Sequence, residues 1–535
     1  GQGGENLNAA GNGGSGGGAG HASSTKTPGV GTAYQGFDGG TNNTSSWNYV
    51  TTFNAGHSGW SVGNYREFEF NNTNTYRYWR IRVLQNKDSD GTSGGGTSIS
   101  EWKMEGYSKA VDTALNVFGE SGDQNIIKCG SYTGNGSSDG PRINLGWEPQ
   151  WILFKNVTTS SGRDWCIVDS IRGAIAGSGS VRQLRPNENN SEGNATAVSI
   201  EPRGFKLTDS NAHYNENGET IIYVAIRRPD GYVGKPADAA TDIFTIDLAG
   251  VNNGTPSWVS NFPVDMQFIK DRNGTTYNYF LSSRLTHSRY LTMSAASAQI
   301  SNSVYTHDYM DGWGSYSGAS NITSWMWKRG AGFDVVCYEG DGISGRSIPH
   351  SLNAVPQMIW CKNRETADIW TNGHFGTNGG TNPWHYRLRG NSSTAQEDYA
   401  SAWNDTAPTS TQFTVGNHEG VNTSGNDYIA FLFTSISGIS KLGYYDGSNS
   451  EQTITVGFQP RFLMIRRTDD GNDWMILDTF RGWASGNDAK LRWNETNAQD
   501  TDDDFGAPTS TGFTLVGNLG FSNVSGGKFI YYAHA

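Results

Sequence analysis

Residues 457–482 read GFQPRFLMIRRTDDGNDWMILDTFRG. An apolar run at 461–467 closes on two arginines, and a polar turn rich in Asp and Gly follows at 468–472. A second apolar run at 474–477 leads into Asp478 and Arg481. Two short apolar runs on either side of a Gly-containing turn predict a pair of β-strands. The same features return in the same order at 147–173, WEPQWILFKNVTTSSGRDWCIVDSIRG. Looser copies stand at 355–376, VPQMIWCKNRETADIWTNGHFG, and at 262–285, FPVDMQFIKDRNGTTYNYFLSSRL. A unit of about a hundred residues therefore organises most of the chain. Its copies span 111–228, 229–330, 331–436 and 437–535.

Each copy opens on a strand that runs into a Gly/Asn/Asp turn: IIKCGSYTGNG, IFTIDLAGVNNG, DVVCYEGDG and KLGYYDGSN. Each closes on an aromatic or aliphatic strand: IIYVAIR, SWMWK, YIAFLF and FIYYAHA. Copies 3 and 4 share APTST-x-FT from Ala407 and from Ala507, and copy 1 has GFKL from Gly204. The pattern predicts an all-β chain of tandem β-sandwiches, jelly-roll or lectin-like, with one small sandwich per copy. The alternative joins two copies into one larger sandwich.

Composition agrees. Gly is 71 of 535 residues, charged residues are 17% and aromatics 12%, with 18 Trp; so many aromatics give the chain material for a core. No long helical period occurs. The net charge of -12 comes without a basic stripe, which argues against nucleic acid as a partner. The longest apolar runs are strand-sized, which predicts no membrane insertion. The chain starts at Gly1 rather than Met and reads as a processed or partial chain. Its four cysteines form no C-x-x-C pair. Cys129 and Cys337 hold matching places in two copies, which predicts buried free thiols rather than a disulfide framework.

Residues 21–110 carry Phe37-Asp38-Gly39 with Trp47, then Tyr78-Trp79-Arg80-Ile81-Arg82-Val83, then Ser98-Ile99-Ser100-Glu101. This segment resembles the discoidin, or coagulation-factor type C, family of galactose-binding-like β-sandwiches, shortened between Trp47 and Tyr65. The resemblance implies glycan or surface binding through loops at one end, and it makes Asp38 the candidate ligand of a Ca²⁺ ion, the one cofactor expected. The repeat itself, on FQPRFLMIRR…DWMILDTFRG and WEPQWILFKN…DWCIVDSIRG, resembles a domain of virion proteins of marine tailed bacteriophages, including cyanophages. That resemblance implies a virion appendage of tail-fibre type that recognises a host-surface glycan or receptor. It implies no catalytic residues.

The chemistry-bearing residues support the same expectation. Asp169 with Arg172, and Asp478 with Arg481, are best explained as ion pairs that pin a turn beside a sandwich core. A glycosidase would need a second acid at a set distance, and copies 2 and 3 lack the motif. The acidic runs at 500–504 and 88–91 lack the full twelve-residue calcium pattern and are expected to be solvated loops. His374 and His385 flank Trp384 without an acid or thiol at ligand spacing. No nucleophile, base and orienter can be assembled, so no enzyme is expected. Trp60, Trp313, Trp384, Trp403 and Trp483 stand among Gly, Asn, Ser and Asp, with Tyr316 and Tyr399, and are the candidate ligand-binding aromatics. Copy 3 is the favoured glycan site, and interface or core packing is the competing reading.

The expectation is thus a non-enzymatic virion fibre, homo-oligomeric and trimeric, with avidity from multivalency. The alternatives are a bacterial extracellular lectin or surface-layer protein, and a polysaccharide-depolymerising fibre. The Gly-rich arm at 1–20 has no apolar pattern with which to fold alone. It is expected to anchor the chain on a neighbouring subunit or another virion protein, with copy 4 distal; the alternative is that it folds back on copy 1.

Overall fold

Strand Phe462–Arg467 is buried at five of its six residues, on both faces of its sheet. In copy 1 the equivalent strand, Pro149–Asn156, alternates between buried and half-buried positions. This contrast arises from what covers each sheet. The structure, a computed structural model, describes residues 126–535 apart from 160, 178–180, 249, 252–254, 275–277 and 315–320. The arm, the discoidin-like region, Asp38, Trp60 and Tyr316 lie outside the described residues.

The described part is all-β, a series of antiparallel β-sandwiches, with two one-turn α-helices at Ala400–Trp403 and Glu419–Asn422. Every copy builds its main sheet in one order: the closing strand lies between the opening strand and the hairpin. In copy 4, Lys528–His534 pairs with Ser440–Asp446 on one side and with Phe462–Arg467 on the other. Phe462–Arg467 then pairs with Met475–Asp478, which pairs with Leu491–Arg492. A smaller sheet faces the main one. Its strands include Gly204–Leu207, Gln412–Val415 and Gly512–Leu515, where GFKL and the two APTST-x-FT motifs lie. The faces between the two sheets of copies 2, 3 and 4 hold separate apolar cores around Trp313, Trp403 and Phe513.

Registers fix the equivalences. Phe462 opposes Asp478, Met358 opposes His374, Met266 opposes Ser283, and Trp151 opposes Asp169. These alignments correct the cysteine reading. Cys129 opposes Val224, the partner of Leu153, whereas Cys337 opposes Ile429, the partner of Lys362; Leu153 is equivalent to Trp360, so Cys129 matches Val335 rather than Cys337. Cys166, Cys337 and Cys361 are buried free thiols, but Cys129 is exposed.

Copies 2, 3 and 4 close a ring. The other faces of their main sheets share one core, in which Trp360 meets Trp493 at 4.2 Å and Phe433 meets Tyr532 at 5.3 Å. Phe244 completes the circuit against Phe462 at 5.3 Å. Three backbone bonds repeat around it. The Gln299 N–H donates to the Arg364 carbonyl, Gln396 N–H to Thr468, and Gln499 N–H to Arg272, at 2.7–2.8 Å. Donors and acceptors occupy equivalent places in each copy, and the steps run from copy 2 to 3, 3 to 4 and 4 to 2.

Candidate functional site

The end of the third strand shows how the repeat uses one position. Asp169, Ser283, His374 and Asp478 are equivalent, and each accepts a backbone N–H from the turn that follows. An oxygen or imidazole acceptor satisfies a donor that the strand leaves behind. In copies 1 and 4 an arginine closes the turn. Arg481 Nε donates to Asp478 at 2.6 Å with both side chains fully buried, and Trp325 Nε1 of copy 2 donates to the same carboxylate at 3.1 Å. Arg172 Nε donates to Asp169 at 2.7 Å, nearer the surface. Both pairs pin turns, as expected, and the copy 4 pair also joins two copies.

Indole donors also bridge copies. Trp370 Nε1 donates to the Thr292 carbonyl and Trp474 Nε1 to the Arg389 carbonyl, from equivalent positions to equivalent positions. Lys270 and Arg466, likewise equivalent, reach carbonyls of the next copy at Thr496, and at Ser392 and Thr394. Copy 1 is fastened to the ring by a buried network of two arginines and two acids. Arg329 grips Glu148 through two bonds of 2.6–2.7 Å, and Asp334 lies between Arg329 and Arg228. Burial alone would raise the Asp334 carboxyl, but the two guanidiniums pull it down to about 2.

The described candidate aromatics fail the exposure that their local sequence suggests. Trp313, Trp384, Trp403 and Trp483 are all buried, and Tyr399 is half-buried. Trp313 stacks on Trp258 and donates to Ser324 Oγ; Trp384 and Trp403 meet edge to face at 5.7 Å; Trp483 donates to the Gly506 carbonyl. They fill the gap between the two sheets of their own copy, so no ring face among them is free for a sugar. The favoured glycan site in copy 3 is therefore withdrawn.

The acidic loop is a second correction. Asp500 sits 2.7 Å from Lys490 Nζ, and Asp502 and Asp503 also contact that ammonium, whose side chain is fully buried. The loop is solvated at Asp502, whose side chain is 75% exposed, but its carboxylates converge on an internal cation. Among the described residues no cluster of metal-ligating side chains occurs. His374 is buried in the core, and burial pushes its imidazole down to about 3.

Among the described residues, Ser282 Oγ and His307 Nε2 approach as a nucleophile and base would, at 3.4 Å. Both are buried, and His307 Nδ1 meets no acid. Burial holds that imidazole well below its usual range, in the neutral form. The pair fills space between strands and lacks the orienting acid of a triad.

At the surface, copy 1 carries a shallow depression of about 290 Å³. Gln183, Arg185, Asn194, Thr196, Asp209 and Asn211 line it. Thr196 Oγ1 donates to Asp209 at 2.7 Å and Arg185 pairs with Asp164 at 3.2 Å, so its walls are pre-positioned. Such a lining of amides, a carboxylate and a guanidinium suits a hydroxyl-rich ligand. No motif marks it, because its members come from strands Val181–Gln183 and Gly193–Ala195 and from loop residues that are merely polar.

Fold and surface together define a multi-sandwich all-β protein in which several buried polar side chains join its copies. The chain belongs to the family described as Domain of unknown function (DUF7483), which matches residues 117–228 and 250–535. No curated protein and no solved structure matches.

Proposed function

We propose that the chain is a non-enzymatic structural and adhesion protein of a phage virion, a tail fibre or a fibre decorating head or tail, that attaches to a host-surface glycan or receptor. The virion assignment rests on the sequence resemblance. The observation that carries the non-enzymatic part is where the polar groups go. The buried Asp478–Arg481 pair, the Trp370 and Trp474 indoles, Lys270, Arg466 and the Glu148–Arg329 network all bond across copies. Groups fixed in joints stiffen a scaffold and do not converge on a substrate.

The polar depression of copy 1 is the adhesive surface in this reading. Binding of the full chain to an array of host-envelope glycans tests it. One glycan class should bind, and Asn194→Ala with Asn211→Ala should abolish that binding while the chain stays folded, the unfolding midpoint falling only by the loss of the turn bond from the His213 N–H to Asn211. Retention of binding by the double variant removes the depression, and absence of any host ligand removes adhesion. Release of oligosaccharide would instead make the chain a depolymerase. Mass spectrometry of purified virions decides between a fibre and a bacterial lectin or surface-layer protein.

A further inference from the structure

Copy 1 possesses the face that the other copies use to build their ring, and no other described strand covers it. By register, Leu153 corresponds to Phe268, Trp360 and Met464, which lie in the ring's shared core. Ile222 corresponds to Ile429 and Ile530, and Ile167 to Ile476, all likewise in that core. In copy 1 the same face is open. Ile127 is 60% exposed, Ile222 38% and Trp165 36%, and Cys129 is exposed among them. An apolar sheet face of this extent on a soluble domain marks an interaction surface.

The sequence of copy 1 is that of a sheet covered on both sides. Trp151-Ile152-Leu153-Phe154 is apolar without a break, yet only Ile152 and Phe154 are buried. An antiparallel sheet with one wet face alternates apolar and polar residues instead.

The joints of the ring are present too. The Trp165 N–H donates to the Asn187 side-chain carbonyl, as the Trp370 N–H does to that of Asn391 and the Trp474 N–H to that of Asn494. This places Trp165 at the position whose indole bridges copies, and Arg185 at the position whose carbonyl receives it. The ring-closing backbone bond has its counterparts in Glu192 and Val157. Glu192 Oε1 accepts from Arg172 as Gln499 Oε1 does from Arg481, and Val157 is exposed.

We propose that three chains associate through this face, so that their first copies build around a molecular axis the ring that copies 2–4 build within one chain. In that assembly the Trp165 indole donates to the Arg185 carbonyl of the neighbouring chain, and the Glu192 N–H donates to its Val157 carbonyl. The occupant is a second and third copy of this chain because, among the described residues, the geometry that covers this face is a three-membered ring of like faces. The inference stands independently of what the chain adheres to.

The test uses the full chain. Light scattering reads the number of chains per particle, and alkylation of Cys129, the exposed thiol of the four, reads whether the face is covered. The expected result is three chains per particle with Cys129 protected. Ile222→Glu, at an exposed position, should yield one chain per particle with Cys129 reactive and an unchanged circular dichroism spectrum. A monomeric wild type overturns the proposal; protection of Cys129 in that monomer would mean that residues 1–125 of the same chain cover the face. A trimer that survives Ile222→Glu with Cys129 reactive in the wild type overturns it as well, by placing the contact elsewhere.

Discussion

At the scale of single residues, neighbours in the chain misled where neighbours in space decide. Trp403 sits in SAWNDTAP and reads as a loop aromatic, yet it is buried between two sheets. Local composition does not contain the sheet that covers it. Trp403→Ala should therefore cost about 3–5 kcal/mol, measured by denaturant unfolding. The two Asp–Arg pairs were legible, because the motif repeats; their unequal burial was not. Asp478→Asn strips the charge from a fully buried arginine and should cost about 3–5 kcal/mol. Asp169→Asn, at a partly solvated pair, should cost about 1 kcal/mol or less. Equal losses would contradict the burial argument. His374 and His534 are both buried, and burial pushes each down to about 3. The unfolded chain then binds protons near pH 6.5 that the folded chain refuses. Their stability contribution is intact above pH 6.5 and is lost as pH falls towards 3, by about 1.4 kcal/mol per pH unit for each group. Unfolding curves between pH 7 and pH 4 should show that slope, and His374→Gln should flatten it.

At the scale of elements, hairpins were legible and the insertion of the closing strand was not, because its partners lie far away in sequence. Side-chain volumes still record it. Gly443 opposes Tyr531 and Gly130 opposes Tyr223, whereas copy 3 pairs Val336 with Ala430. Small faces large in two copies, and two middling residues meet in the third. A Cβ on Gly443 would lie 2.3 Å from the Tyr531 hydroxyl oxygen. Gly443→Ala should cost about 1–3 kcal/mol by overpacking, and Tyr531→Ala in the same chain should recover part of that loss. Additive losses in the double variant would show that the two positions do not share one volume. The ring joints left a trace as well. Thr292 to Gln299, Arg389 to Gln396 and Arg492 to Gln499 are equal steps, each ending in Ala-Gln. The dipeptide is short and its purpose lies in another copy, so only the three-dimensional arrangement gives it meaning.

At the scale of the whole molecule, tandem repeats in sequence become a closed circuit in space. A linear array would let each sandwich open by itself. Here copy 2 bonds to copy 3, copy 3 to copy 4 and copy 4 back to copy 2 through equivalent glutamine amides. The strands read as continuously apolar because the second face of each sheet lies against the shared core, and this is also why the chain resisted a simple alternating pattern. A closed circuit should unfold as one unit. Native-state hydrogen exchange of the Gln299, Gln396 and Gln499 amides measures this directly. The account predicts that all three exchange only with the global unfolding that frees the amides of strand Phe462–Arg467. Exchange of any of the three at the rate of an open loop, while that strand stays protected, would contradict the ring.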